Sequence, residues 1–333
     1  MRTFLLLFSL LLSFHVTSAC DFCNCYLGIN PHYKKNAVGL RATSSKYEGS
    51  HMNQTELENN DLTASDFKEL RANFEIIARY YPIQKLQVQL FAPYVVNIES
   101  MSDNAFSALS GSSTSSNRIS HADHATATTS SVTNKSNTVQ GIGDPIVMAQ
   151  FQIFNLNATD SNSIQHRLFA GGGIKIPLGR SLLLNADEPL EKSHQPGTGS
   201  WDMLPAVSYL AKYKKLGVNA NITYLISGKD RYKFRQSDRI NANLNLYREF
   251  GKKDFKYFPS LGLYFEQAGK TKYGALLLDK TGGSLILGHL GIDFYYRKFS
   301  VNMAAHLPAM QQLNGSQPNL TYRLIAGISY ALN

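Results

Sequence analysis

Glu69-Leu70-Arg71-Ala72-Asn73-Phe74-Glu75-Ile76-Ile77-Ala78-Arg79-Tyr80 is the stretch that decides the fold. Leu70, Ala72, Phe74, Ile76, Ala78 and Tyr80 are apolar, while Glu69, Arg71, Asn73, Glu75 and Arg79 stand between them. A strand sends successive side chains to opposite faces, so this segment has one apolar wall and one charged wall. The same alternation recurs along most of the 333 residues. Repeated that often, it points to an all-β chain folded as a transmembrane antiparallel β-barrel, apolar outside and polar within.

The start of the chain agrees with export. Arg2, the apolar run Phe4 to Leu12 and the small residues Thr17-Ser18-Ala19 read as a cleaved signal peptide over 1–19. That run is too short to cross a bilayer, and no later stretch approaches roughly 18 uninterrupted apolar residues, so a helical span is not expected. Any membrane insertion must then use a closed barrel, whose backbone groups pair between strands. The expected organisation is the leader, a Cys-rich periplasmic segment over 20–32, and a barrel over 33–333 in the cell outer membrane.

About twelve strands are expected, at 33–46, 67–81, 85–98, 142–155, 166–178, 200–212, 216–227, 238–250, 256–268, 284–297, 299–308 and 320–332. Pro82-Ile83-Gln84, Tyr213-Lys214-Lys215, the stretch from Gly251 to Asp254 and Arg297-Lys298 read as tight turns. They alternate with long polar connections near 47–66, 99–140, 180–199, 228–237, 269–283 and 309–319, the pattern of periplasmic turns and extracellular loops. Both termini are then periplasmic. The connection near 155–165 does not fit, because it should be tight and is not. The longest connection, Ser100 to about Thr138, is dominated by Ser and Thr and cannot build a core. Tyr80, Tyr81, Tyr247, Phe250, Tyr257, Phe258, Phe294, Tyr296, Phe299 and Tyr330 cluster near strand ends, as an interfacial girdle would. The last strand alternates from Tyr322 to Leu332, with Ile325 and Ala331 as exceptions on its polar face, and ends on Asn333. A closing strand is what outer-membrane assembly machinery engages, so that machinery and outer-membrane lipid are the expected partners.

The net charge of +9 raises nucleic-acid binding, but the basic residues are scattered and the chain is exported, so no nucleic-acid partner is expected. A charge facing hydrocarbon costs about 2 to 4 kcal/mol at the membrane midplane, which assigns charged strand residues to the lumen. Projected inward are Glu69, Arg71, Glu75, Arg79, Lys175, Arg239, Glu266, Asp293 and Arg323, expected as pore-lining, with Gln87, Gln89, Gln150, Gln152, Asp202, Asn219, Asn221, Asn241, Asn243, Asn245, Arg297 and His306. Acids and bases are mixed, which favours internal pairing and an occluded, gated conduit over a wide pore selecting one sign of charge.

Cys20, Cys23 and Cys25 lie within six residues of one another, and an odd number is not a disulfide framework. Three readings stay open: lipidation of Cys20, against which Thr17 stands where an aliphatic residue is usual; thiolate binding of a soft metal, with a fourth ligand from His32 or another chain; and a redox or disulfide tether. His121 and His124 would share a face only in a helix, and they read as solvated loop histidines. No phosphate-binding loop, nucleophile elbow or zinc-protease motif is present, so neither an enzyme nor a cofactor is expected.

Ala19-Cys20-Asp21-Phe22-Cys23-Asn24-Cys25, Leu27-Gly28-Ile29 and Asn36-Ala37-Val38-Gly39-Leu40-Arg41 are joined further on by Gly141-Ile142-Gly143-Asp144-Pro145, Gly173-Ile174-Lys175-Ile176-Pro177-Leu178-Gly179 and Pro196-Gly197-Thr198-Gly199-Ser200-Trp201-Asp202. In this order the motifs resemble a family of Bacteroidota outer-membrane proteins described as transporters, within the barrel group named after the meta-pathway of phenol degradation. The resemblance implies an outer-membrane barrel with a transport role and brings no catalytic residue. The expected function is passive or gated passage of a small solute, hydrophobic solutes included. The alternative is a non-transporting structural or soft-metal-handling outer-membrane surface protein.

Overall fold

The computed structural model describes residues 35–52, 64–104, 134–156, 163–181, 184–185, 188–189, 195–315 and 317–332. The expected leader, Cys20, Cys23, Cys25, His32, His121, His124 and the C-terminal Asn333 lie outside them.

Alternation becomes a wall only where each strand has a neighbour on both sides. Twelve strands achieve this in chain order: β1 (Ala37–Met52), β2 (Ala64–Ile83), β3 (Leu86–Asn104), β4 in two halves (Asn134–Ile142 and Ile146–Leu156), β5 (Gln165–Lys175), β6 (Asp202–Tyr213), β7 (Leu216–Leu225), β8 (Arg239–Arg248), β9 (Phe255–Ala268), β10 (Gly283–Tyr296), β11 (Phe299–Leu313) and β12 (Asn319–Ala331). Each pairs antiparallel with its sequence neighbours, and β12 pairs β1 from Ala37↔Ala331 to Glu48↔Asn319, so the sheet closes on itself. The fold is a closed twelve-stranded antiparallel barrel with no helix among the described residues. Closure removes every sheet edge, which hydrocarbon would leave without hydrogen bonds.

The outward face is a band of apolar side chains that no protein atom covers. Leu40 on β1, Phe74 and Ile76 on β2, Leu244 and Leu246 on β8, Leu261 and Leu263 on β9, and Leu324 and Ile328 on β12 are all exposed. An uncovered apolar belt around a closed barrel is the surface a bilayer solvates.

The two ends differ. At one end the hairpins are short, and their tips are basic: Lys85, Lys214 and Lys215, Lys252 and Lys253, Arg297 and Lys298. Lys214, Lys253 and Arg297 take left-handed backbone at φ 53°, 45° and 53°, as two-residue hairpin turns demand. Several cations fold back over aromatic rings: Lys214 over Tyr213, Arg248 over Phe250, Arg297 over Tyr296 and Lys298 over Tyr330, at 5.1–5.8 Å to the ring centroid. Glu249 ties two of the short hairpins together, meeting Lys256 at 2.7 Å and also pairing with Lys212. Burial alone would raise its carboxyl, and the hydrogen bonds from the two lysines outweigh that and hold it below the usual range.

At the other end the strands run on. β2 has 20 residues, roughly 65 Å of strand at about 3.3 Å per residue, more than the apolar belt needs even when tilted. Here β3 and the first half of β4 continue as a paired ribbon into what the Ser/Thr composition assigns to a loop, with Tyr94↔Ile142 through Ser102↔Asn134 in register. β4 breaks at Gly143-Asp144-Pro145, where proline has no N–H for the ladder. A small three-stranded ribbon, Phe234–Arg235, Lys272–Tyr273 and Leu276–Leu277, joins the connections that follow β7 and β9. The notched wall also needs close backbone approach: a Cβ on Gly171 would stand 2.1 Å from the Ala149 carbonyl oxygen. We expect Gly171→Ala to lower the unfolding free energy, read from a denaturant series on the folded, heat-modifiable band, by about 1–3 kcal/mol. Gly269→Ala, whose added carbon meets nothing nearer than 3.8 Å, should leave it unchanged.

The lumen as candidate functional site

The register carries the residues projected inward from sequence to three distinct groups on the inner wall. The first is a run of ion pairs on β1 and β2. Arg71 clasps Glu69 on its own strand, Nε to Oε1 at 2.5 Å and a second nitrogen to Oε2 at 3.1 Å. Glu75 takes its partner from the neighbouring strand: Arg41, opposite in the ladder, donates from Nε at 2.6 Å and lies over the Phe91 ring. Arg41 is buried and was not among the expected lining residues, because only lateral register shows that it faces Glu75. Arg79 lies beside Gln89 of β3, and its Nε has no hydrogen-bond partner among the described residues.

The second group spans β8, β9 and β12. Glu266 stands between Arg239, 3.8 Å away, and Arg323, 3.7 Å away, with all three side chains at most 3% exposed. Arg323 also reaches Ser45 Oγ at 3.4 Å and covers the Tyr264 ring, whose hydroxyl meets both Glu266 and Asn241 at 3.2 Å. Tyr264 stacks on His306, and His306 shares a 2.9 Å contact with His289, which meets Ser260 at 3.1 Å on its other ring nitrogen. His289 is as buried as His306. Its signal in the sequence is parity alone, since it lies four residues before Asp293 on the same face of β10. Asp293 is buried opposite Asn302, and its Oδ2 has no hydrogen-bond partner among the described residues.

The third group is a clasp at the long-loop end. Lys175, the last residue of β5, pairs with Asp202, the first of β6, stands 3.6 Å from Asp144 in the β4 break, and donates to Thr198 Oγ1 at 2.6 Å. Asp144 accepts from the amides of Gly179 and Thr198 at 2.9 and 2.8 Å, and Asp202 from Ser200 Oγ and the Gly228 amide, both at 2.9 Å. The clasp thus pins the connection between β5 and β6 down onto the wall.

One projected residue leaves the lumen. Arg297 sits in the short β10–β11 turn with an exposed side chain, 3.8 Å from Asp254, because the turn ends the alternation one residue earlier. Apolar side chains enter it. Tyr47, Tyr264, Leu285, Leu287 and Leu320 pack together near the long-loop end, and Ile325, which breaks the polar pattern of β12, is buried against Ala304. Together these groups leave much of the lumen filled at both ends: Leu287, Lys175 and Arg239 towards the long loops and Asn245 and Asp293 towards the short turns are at most 1% exposed. The part-exposed inward residues Asn73, Ile77, Arg79, Ser208 and Lys212 lie on the β2 and β6 side of the wall.

No group of three or more metal-ligating side chains occurs among the described residues, a statement that does not reach Cys20, Cys23 or Cys25. The described geometry can hold charge in neutral pairs, fill the barrel and present polar side chains to a transiting molecule.

No family model matches the sequence, and no curated protein matches it. The barrel is similar to an outer-membrane channel from Pseudomonas putida F1, with a TM-score of 0.57 and 12% identity over 92% of this chain and 100% of that one. That likeness establishes the barrel fold and nothing finer. The transport unit of the autotransporter AIDA-I from Escherichia coli aligns at a TM-score of 0.44 and 11% identity, over 93% of this chain and 95% of that one, too loose a match to bear on function.

Two substitutions separate pairing from filling. Lys175→Met leaves two buried carboxylates facing each other, and we expect it to cost about 3–5 kcal/mol in a denaturant series, with part regained when Asp202→Asn is added. Glu75→Gln removes the charge paired with Arg41, which is less deeply buried than Lys175, and should cost less, about 1–3 kcal/mol, whereas Ile76→Val, on the exposed outer face, should change the unfolding free energy by under about 0.5 kcal/mol.

Proposed function

We propose that this chain is an outer-membrane β-barrel channel for passive or gated passage of a small solute, closed by its own side chains in the state described. The observation that carries the reading is the division of the wall: an uncovered apolar belt outside and a nearly continuous polar and charged lining inside. A barrel that was only a structural body would gain more from an apolar core, because buried ion pairs are often replaceable by hydrophobic residues at no cost in stability. The fold shared with the Pseudomonas putida F1 channel supports the reading, as does the leader-like start of the sequence. The order of short motifs resembling Bacteroidota transporters of the meta-pathway barrel group supports it as well.

In this reading the lining comprises Glu69, Arg71, Glu75, Arg79, Lys175, Arg239, Glu266, Asp293 and Arg323. The short-turn end with both termini lies in the periplasm, where its cations sit at the headgroup level just beyond the girdle rings they cover. Outer-membrane lipid and the outer-membrane assembly machinery are the partners, and no catalytic role is assigned to the lumen. One observation favours a second reading, a non-transporting structural barrel: the near-complete burial of most inward side chains, towards both ends of the lumen. Soft-metal handling would rest on Cys20, Cys23 and Cys25 alone.

Reconstitution in planar bilayers and in solute-loaded vesicles decides between the two. The channel reading expects discrete conductance steps or solute efflux above protein-free controls, enhanced in Glu75→Gln, where the inner pairing is weakened. Silent bilayers and tight vesicles for both proteins, with the folded band intact, would establish the structural reading.

A further inference from the structure

One sector of the lumen carries no charge through its middle. On β7 and β8 the inward positions are amides facing amides: Asn219 opposite Asn245, Asn221 opposite Asn243, and Asn241 opposite a threonine. All five asparagines are buried. Their hydrogen bonds run along and across the two strands, from Asn221 Nδ2 to Asn219 Oδ1 at 3.3 Å and to Asn243 Oδ1 at 3.0 Å. Ser208 on β6 extends the patch and accepts from Gln150 Nε2 at 3.2 Å, a contact made across the side-chain-free Gly171 of the strand between. Charged side chains on these strands lie towards their ends: Lys175, Asp202 and Arg239 at the long loops, Arg167, Lys212 and Arg248 towards the short turns.

The patch does not satisfy itself. Asn245 is wholly buried with neither its Nδ2 nor its Oδ1 hydrogen-bonded among the described residues, and Asn241 Nδ2 is likewise unpartnered there. The Asn245 oxygen leans over Gly262 of β9, to within 2.2 Å of where a Cβ would stand, so a side chain on that residue would displace it. A buried amide without partners is unfavourable, and a structural core would replace it with leucine. One step below Asn245 on the same wall, Tyr247, Phe258 and Tyr295 form an aromatic cluster, edge to face at 6.0 and 5.4 Å.

We propose that the asparagine face of β7 and β8 is a solute-recognition site for neutral, polyhydroxylated molecules of sugar-like chemistry. The proposal rests on the channel reading and gives it a substrate class. An amide presents a donor and an acceptor side by side, and a hydroxyl is also both, so a row of asparagines exchanges hydrogen bonds with a row of hydroxyls without moving charge. Aromatic faces next to amides suit the C–H surface of such a solute. An ion gains no counter-charge from this sector, and a hydrocarbon would leave every amide unpaired.

The test is vesicle swelling with wild-type protein, using a pentose, a carboxylate of similar size and potassium chloride. The pentose is expected to enter at least about fivefold faster than the carboxylate. Asn245→Leu, close to isosteric, should lower pentose entry about tenfold, the equivalent of one or two lost hydrogen bonds, while potassium chloride conductance changes less than about twofold. Asn221→Leu, which removes the donor that links Asn219 and Asn243, should act in the same direction. A carboxylate that outruns the pentose in wild type, or equal pentose entry in wild type and a folded Asn245→Leu, overturns the proposal and leaves the channel intact. Failure of all three solutes to pass the wild-type protein overturns the channel reading itself. The wild-type solute ratio stands whether or not either variant folds.

Discussion

Everything in this structure depends on one constraint, that a backbone amide facing lipid must find its partner within the protein. The ladder closes where the last strand meets the first, β12 on β1. Once it is closed, the period-two geometry of strands leaves each residue with two options, outward to hydrocarbon or inward to the lumen. Charge must then go inward, and once inside it must be neutralised by whatever the neighbouring strands bring to the same height. The ion pairs Arg41–Glu75, Arg239–Glu266 and Arg323–Glu266 are consequences of closure, since each joins side chains from different strands.

That dependence sets what was legible beforehand. Strand number, the closed barrel and the two kinds of connection follow from alternation and turn chemistry, which are local and visible along the chain. The strand extensions to Asn104 and from Asn134 were not legible, because Ser, Thr and Asn on both faces erase the alternation while the backbone still pairs. Leu285-Ile286-Leu287 hid the apolar filling of the lumen, since an unbroken apolar run does not show which face is which. The partner of Glu75 and the burial of His289 are facts of lateral register, which a single strand does not contain.

Register also explains what the short motifs do. The segments Gly141 to Pro145, Gly173 to Gly179 and Pro196 to Asp202 are far apart in sequence and meet in one clasp, where Lys175 sits among Asp144, Asp202 and Thr198. Their glycines let the connection between β5 and β6 lie directly on the wall: a Cβ on Gly179 would stand 2.7 Å from the Gly143 carbonyl carbon, and one on Gly197 2.6 Å from that of Gly179. The resemblance carried by these motifs is therefore a resemblance in loop anchoring. It marks the architecture of the long-loop end, where Lys175 belongs both to the clasp and to the inner wall.

Specificity must then reside where architecture does not need it. Closure requires inward side chains to be small enough to fit and neutral in sum, and both demands are met by apolar residues, by ion pairs or by amides. Three strands of this barrel, β9, β10 and β12, take the first two solutions, with leucines and the Glu266 pairs side by side at the long-loop end. β7 and β8 take the third through the middle of their inner face, at the cost of an Asn245 amide and an Asn241 Nδ2 with no hydrogen-bond partner among the described residues. A lining that is more polar than filling requires, and less charged than ion selection requires, is a part of the interior that folding alone does not account for.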